Sequence, residues 1–263
     1  SGRICQSRLI KCGSYYRIYS AVVTNEGSLV VYSDDFGRTW IPLGGADVRP
    51  APQGDEAKIE ELPDGRVLLS CRRSGKDGRW FNIFTYTDRQ YQSGSWAEPV
   101  ASESPDGGTA TINNNCNGEI LLVPAQSTNG NHVYVALQSV PRGTPGNHPT
   151  NLERRSHVSI YWKAFDTPDS WSTPDKWVDG WQRHEITDGY SAYSSMALDG
   201  NGDICFIYED NGVHFRLGSQ PTEMYDILYR RQPKVVDVGD DTIDDVPDDA
   251  AEFLAQLEAE KKD

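Results

Sequence analysis

The octapeptide that ends at Trp40 constrains the fold of this chain more than any other feature. Its pattern is Ser33-x-Asp35-x-Gly37-x-Thr39-Trp40. Asp35 and Thr39 can hydrogen-bond the backbone of a tight hairpin turn, and Gly37 can take the left-handed conformation there. Trp40 would begin the return strand, where its ring can pack between neighbouring sheets. The octapeptide therefore predicts a β-hairpin in a protein built from packed sheets.

A second pattern, a turn ending in glycine followed by an apolar strand, occurs at 64–69, 117–122 and 201–206. The glycines are 53 and then 84 residues apart. A period near 50 is typical of four-stranded β-propeller blades, and the longer gap would hold one blade plus an insertion, at 141–151 or 166–183. We therefore predict an all-β fold with about four antiparallel blades between residues 5 and 232, and 221–231 as the last strand.

Composition supports many short strands and excludes several kinds of partner. The 263 residues permit one or two domains, and 24 Gly, 15 Pro and 10% aromatic residues favour strands joined by turns. The sequence has no apolar run long enough to span a membrane. A net charge of −14 argues against a nucleic-acid partner. The five Cys and five His are scattered, so no metal or other cofactor is predicted.

The C-terminal end differs from the rest of the chain in its charge. Residues 234–263 hold 11 acidic and 3 basic residues, a net charge of −8. We predict propeller blades over 1–232 and an acidic tail over 233–263. Within the tail, an acidic linker leads to a short amphipathic helix at 250–262. A solvated tail without a docked helix is the alternative.

Four segments together resemble exo-sialidases, in particular the bacterial ones. Segment 54–72 is similar to the part that presents a catalytic glutamate and, 16 residues later, a substrate-binding arginine. Segment 155–163 resembles the part with another arginine, 191–196 the nucleophile segment, and 206–209 a strand end with a supporting glutamate. The octapeptide matches the Asp-box of that family. The resemblance implies a propeller of about six blades. This chain would cover roughly the C-terminal two-thirds of that domain.

The resemblance implies that Tyr193 is a nucleophile and Glu56 its general base. Sialic acid carries a carboxylate on its anomeric carbon, which would repel a carboxylate nucleophile, and a neutral tyrosine avoids that repulsion. Because the ordinary pKa of tyrosine is about 10, the base must take the proton as the bond forms. Each residue alone also fits a structural role, as a solvated glutamate and a strand aromatic. Glu60 and Glu61 are expected to be structural or exposed.

Arg72 and Arg155 would bind the substrate carboxylate, for which planar and always-charged donors suit best. The resemblance also implies that Glu209 holds a third arginine in position. Alternatives stay open from the residues alone. Arg72 could cap a strand and pair with Asp88 or another acid, Arg155 could be a surface loop residue, and the adjacent Arg154 could be the true ligand.

The likeness breaks in two places. The family's first arginine, in an Arg-Ile-Pro motif, and its acid/base aspartate have no match in this chain. Arg17 lies in a similar segment, but Tyr19 replaces the proline. An arc of four blades would also leave two sheet faces uncovered, which predicts a partner: an N-terminal part of the same domain or another protein chain.

Two functions follow from these observations. The first is a retaining exo-α-sialidase that releases terminal sialic acid from glycoconjugates, with poor turnover unless the missing acid is supplied. The alternative is a non-catalytic propeller that binds glycans or a protein partner. The presence of Tyr193 and Glu56 favours the enzyme, because recognition of a carboxylate needs only the arginines. Sialylated glycans are the expected ligands, and secretion, the periplasm or the cell surface the expected location.

Overall fold

The structure of the chain, a computed structural model, describes residues 3–112, 115–146, 154–210, 214–220 and 229–231. The predicted acidic helix at 250–262 and most of the predicted 221–231 strand lie outside these ranges. Within the described ranges, no helix is long and apolar enough to cross a membrane. Strands dominate these ranges and form four antiparallel sheets in chain order.

The first two sheets are built from consecutive strands. The first has the order β1-β2-β3-β4, with β5 beside β3: β1 (Cys5–Cys12), β2 (Tyr15–Thr24), β3 (Gly27–Ser33), β4 (Ile41–Pro42) and β5 (Ala51–Pro52). The second has the order β6-β7-β8-β10, with β9 beside β8: β6 (Gly54–Glu61), β7 (Val67–Arg73), β8 (Arg79–Tyr86), β9 (Gly94–Trp96) and β10 (Val100–Ser102).

The last two sheets follow the same plan. The third has the order β11-β12-β13-β14: β11 (Ile120–Ser127), β12 (His132–Pro141), β13 (Val158–Phe165) and β14 (Gln182–Glu185). The fourth has the order β15-β16-β17: β15 (Ser191–Leu198), β16 (Ile204–Asp210) and β17 (His214–Gln220). A last strand, β18 (Tyr229–Arg231), returns to pair with β11.

Three apolar cores separate the four sheets. The core between the first and second sheets contains Tyr19 and Ile59, and the core between the third and fourth contains Leu137 and Phe206. The middle core receives three indoles from the segment between β13 and β14, namely Trp171, Trp177 and Trp181. Both faces of each middle sheet are therefore buried, as in a propeller, where blades pack face to face. The predicted all-β fold of antiparallel blades is confirmed.

The hairpin at the octapeptide forms the hydrogen bonds expected of it. Asp35 Oδ1 accepts from the Thr39 amide at 2.8 Å, and Oδ2 accepts from the Thr39 hydroxyl at 2.6 Å. Gly37 has φ 86°, the left-handed conformation that favours glycine. Trp40 differs from expectation, because it is 38% exposed and lies over Gly37 of its own turn rather than between sheets.

The glycine pattern marks two different structures, contrary to its interpretation as one repeat. Gly65 and Gly202 close hairpins between the first and second strands of their sheets, both with positive φ. Gly118 instead precedes the first strand of the third sheet, where a Cβ would lie 1.8 Å from the Ser139 carbonyl oxygen. The equivalent hairpin of that sheet turns at Gly130, with φ 90°. Gly118 is therefore required for close approach of two backbones rather than for a turn.

Arg17 lies inside the first sheet and is fully buried. Its Nε and Nη2 donate to the two carboxylate oxygens of Asp34, at 2.6 and 2.7 Å. Its Nη1 donates to the Tyr91 carbonyl at 2.6 Å and to the Tyr86 hydroxyl at 3.1 Å. These contacts use the guanidinium to join the first and second sheets, which gives Arg17 a structural role.

We predict that Arg17→Met lowers the free energy of unfolding by about 3 kcal/mol, because it leaves the Asp34 carboxylate and the Tyr91 carbonyl without their donor. Chemical denaturation measures the change. Arg38→Met, at an exposed arginine of the neighbouring turn, is the matched control and should change stability by less than about 0.5 kcal/mol. Equal stability of the two variants would contradict the structural role.

Candidate active site

Glu56 and Arg72 lie side by side at the end of the second sheet. The register between β6 and β7 shifts between Gly54 and Ala57, so Glu56 sits in a β-bulge. Bulges re-aim side chains and occur often next to active sites. Arg72 Nη1 donates to Glu56 Oε2 at 2.8 Å, and both side chains are about 15% exposed. Arg72 Nε also lies 3.4 Å from Asp55 Oδ2, so the acids beside Arg72 are Glu56 and Asp55. Asp88 instead accepts hydrogen bonds from amides of its own turn.

Tyr193 occupies a second bulge, on the first strand of the fourth sheet. The register between β15 and β16 shifts between Ser191 and Ser194. The amide of Tyr193 donates to Glu209 Oε2 at 3.2 Å. That Glu209 holds a third arginine stays a prediction; in the structure its carboxylate supports the backbone of the bulged tyrosine. This contact fixes the position from which the Tyr193 side chain projects.

The side chains of Tyr193 and Glu56 interact although their strands belong to different sheets. Burial alone would raise the pKa of Glu56, but hydrogen bonds from Arg72 and Tyr193 and the charges of Arg72 and Arg155 outweigh it and lower that pKa. The pKa of Tyr193 is raised by burial and by the neighbouring Glu56 carboxylate. At neutral pH the pair is therefore an ionised carboxylate beside a neutral phenol.

Arg155 approaches the same site from the segment just before β13 of the third sheet. Its guanidinium carbon lies 5.4 Å from the centre of the Tyr193 ring, within the range of a cation–π contact. Its Nη2 is 3.4 Å from the backbone carbonyl oxygen of Asn115. Arg155, the arginine preferred from the sequence, is thus placed beside Tyr193.

Asn115 joins the two arginines and was missed by the sequence analysis. Its side-chain oxygen accepts from Arg72 Nη2 at 2.9 Å, while its backbone oxygen faces Arg155. Two residues further on, Asn117 Oδ1 accepts from the amide of Ser194, next to Tyr193. The signal in the sequence was an asparagine-rich run before an apolar strand, which was interpreted only as a turn.

The four predicted residues Glu56, Arg72, Arg155 and Tyr193 thus form one cluster of an acid–phenol pair flanked by two cations. Such a cluster can bind an anion through its guanidinium groups and hold a nucleophilic oxygen beside a base. Glu60 and Glu61 lie lower on β6, are buried, and pair with Arg3 and Arg8 rather than with the cluster.

The structure is similar to solved sialidases at low sequence identity. The leech intramolecular trans-sialidase complexed with 2,7-anhydro-Neu5Ac gives a TM-score of 0.53 at 18% identity, over 81% of this chain and 31% of that one. The intramolecular trans-sialidase from Ruminococcus gnavus, in complex with oseltamivir carboxylate, gives 0.53 at 18%, over 88% and 43%. A K499G mutant of the NanB sialidase from Streptococcus pneumoniae gives 0.51 at 18%, over 80% and 28%.

These likenesses concern the fold alone, because the identity is low. No protein-family model and no curated protein gives a significant match. The chain spans less than half the length of each of the three structures. Its four antiparallel sheets and these neighbours together show that the chain has the sialidase-like β-propeller fold.

Proposed function

We propose that this chain carries the catalytic pair of a retaining exo-α-sialidase, which releases terminal sialic acid from glycoconjugates. The observation that carries the proposal is the cluster as a whole: Arg72 pairs with Glu56, Arg155 lies over the Tyr193 ring, and Glu56 and Tyr193 are near enough to shift each other's pKa. A binding module needs cations for the substrate carboxylate, but it needs no phenol held on a base. The pair therefore favours turnover over the alternative of glycan binding alone.

In the proposed reaction, Tyr193 Oη attacks the anomeric carbon while the bond to the leaving-group oxygen breaks. Glu56 takes the phenolic proton, so the attacking oxygen remains neutral in the glycosyl–tyrosine intermediate. Water then attacks the same carbon, its proton passes to a base, and the tyrosine oxygen leaves and regains its proton from Glu56. The leaving group requires a proton from an acid outside this cluster, except where it is already a good leaving group.

We also propose a partner for the first sheet: another β-sheet, from an N-terminal part of the same domain or from another chain. Nine large apolar side chains between Ile4 and Ile41 are exposed, out of twelve in the described part of the chain. Propeller sheets avoid such exposure by packing against a further blade. That blade is a natural source of the acid. Because terminal sialic acids are displayed on extracellular glycans, the proposed location is secreted, periplasmic or on the cell surface.

The nucleophile is tested with a fluorinated sialic-acid inactivator that traps a covalent intermediate. We expect an adduct on Tyr193, seen by intact-mass spectrometry and peptide mapping, and none in Tyr193→Phe, which lacks the attacking oxygen. Tyr190→Phe, at an exposed tyrosine three residues away, is the control and should still be labelled. Binding of sialosides by a folded chain that is never labelled would favour the non-catalytic alternative.

The arginine pair is tested by binding of an unreactive sialic-acid transition-state mimic. Arg72→Ala and Arg155→Ala should each weaken binding by roughly 2–4 kcal/mol, because each removes charge-assisted donors to the ligand carboxylate. Isothermal titration calorimetry measures the affinity. The control is Arg73→Ala, whose guanidinium instead contacts Glu103 and the Trp80 ring. Unchanged affinity in both Arg72→Ala and Arg155→Ala would contradict the proposal that these arginines bind the ligand carboxylate.

The pH dependence of labelling tests Glu56 as the base. Glu56 acts when ionised, so the labelling rate should fall as the pH drops through its pKa, which Arg72 and Tyr193 hold below the usual value for glutamate. Arg72→Gln removes the cation, so the pKa of Glu56 should rise and the acid limb should move to higher pH. An acid limb that stays in place, measured at inactivator concentrations far below saturation so that the rate reports the free protein, would exclude Glu56 as the titrating base.

A further inference from the structure

A buried ion pair, here called the bridge, lies next to the candidate catalytic pair: it joins Lys58, two residues after Glu56, to Glu119. Lys58 Nζ is 4.0 Å from Glu119 Oε2, and the two side chains are 2% and 1% exposed. The same carboxylate oxygen accepts a hydrogen bond from the Ser195 hydroxyl at 2.9 Å. Its other oxygen lies 3.9 Å from Arg3 Nε. The Glu119 carboxylate thus contacts three different parts of the chain.

The positions of these contacts follow those of the catalytic pair. Lys58 comes two residues after Glu56 on β6, and Ser195 two residues after Tyr193 on β15. The bridge therefore lies two residues further along both strands than Glu56 and Tyr193, at the point where each strand has resumed its regular pairing after the bulge. Glu119 immediately precedes β11, whose sheet lies between those of β6 and β15.

We propose that Glu119 is a positioning residue, which fixes the distance between the nucleophile Tyr193 and the base Glu56 by tying their strands together. The inference rests on the proposed function and adds to it a residue that touches no substrate. Glu56 and Tyr193 both sit in bulges, where the regular ladder of backbone hydrogen bonds is interrupted. Their separation therefore depends on contacts beyond the ladder.

The energetics also favour a positioning role. Buried ion pairs contribute little net stability compared with apolar side chains of similar volume, because desolvation offsets their attraction. They do specify geometry, since a buried carboxylate is strongly destabilised in any arrangement that leaves it without partners. Proton transfer and nucleophilic attack are sensitive to displacements of about 1 Å. A bridge that allows only one arrangement of β6 and β15 would therefore hold Glu56 and Tyr193 at the distance that the reaction needs.

The first test uses Glu119→Gln, which keeps the volume and removes the charge, and Ser195→Ala, which cuts the bridge at the nucleophile strand. We expect labelling of Tyr193 by the fluorinated inactivator to slow by about ten- to a hundredfold. Affinity for the unreactive mimic should stay within about threefold, because the arginines are untouched. Glu119→Asp, which restores the charge, should recover part of the rate.

The matched control is Glu61→Gln. Glu61 is also a buried carboxylate on β6, but it accepts from Ser7 and the Arg8 amide at the first sheet. Glu61→Gln should lower the free energy of unfolding but leave the rate of Tyr193 labelling nearly unchanged. If Glu119→Gln does not fold, Ser195→Ala decides, because it leaves the ion pairs intact. Wild-type labelling rates in a folded Glu119→Gln or Ser195→Ala variant would overturn the positioning role.

A second measurement separates failure of this inference from failure of the proposed function. The Cζ resonance of Tyr193, in protein labelled with carbon-13 tyrosine and assigned with Tyr193→Phe, reports on the contact with Glu56 without any reaction. We expect it to shift in Glu119→Gln and Ser195→Ala and to stay in place in Glu61→Gln. If wild-type protein is not labelled, the catalytic proposal fails, and the resonance still decides whether Glu119 sets the geometry. A resonance that does not move would exclude it.

Discussion

Face-to-face packing of the antiparallel sheets is the constraint on which the rest of the structure depends. Each middle sheet must bury both faces, so its strands are apolar on both sides and the first strands of successive sheets lie side by side. Side chains from β6 and β15, far apart in sequence, come within reach of each other because both strands lie next to β11. Polar groups can occur there only when they are paired, as the contacts of Glu56, Glu119 and Tyr193 show.

Much of the fold and part of the site could be predicted because the signals were local. The hairpin at Asp35 and the apolar strands are each indicated by a sequence pattern of eight residues or fewer. Glu56, Arg72 and Tyr193 could be placed because their segments resemble known ones in order and spacing, and the structure brings them together. Those predictions required no knowledge of which sheets touch.

The remaining features depend on contacts between sheets, which no local pattern shows. Asn115 binds two arginines that come from segments 43 residues before it and 40 residues after it. Gly118 resembles a turn glycine in sequence, but its role is set by a backbone that passes next to it. Arg17 resembled a ligand in sequence, but its partner Tyr86 lies in another sheet, which no local pattern shows. In each case the sequence shows the type of residue but not which residue it contacts in the fold.

The contact between Arg72 and Glu56 has a consequence for how a carboxylate ligand would enter the site. Arg72 donates Nη1 to Glu56 and Nη2 to Asn115, while its Nε makes no hydrogen bond and lies 3.4 Å from Asp55 Oδ2. The guanidinium has five N–H donors, and a ligand carboxylate that takes the position of Glu56 at Arg72 displaces that residue. Displacing Glu56 removes the cation that lowers its pKa, and the carboxylate becomes more basic beside the Tyr193 phenol. Under the proposed function, the charge that identifies the substrate would thus also strengthen the base, whereas a neutral sugar would leave Glu56 paired with Arg72.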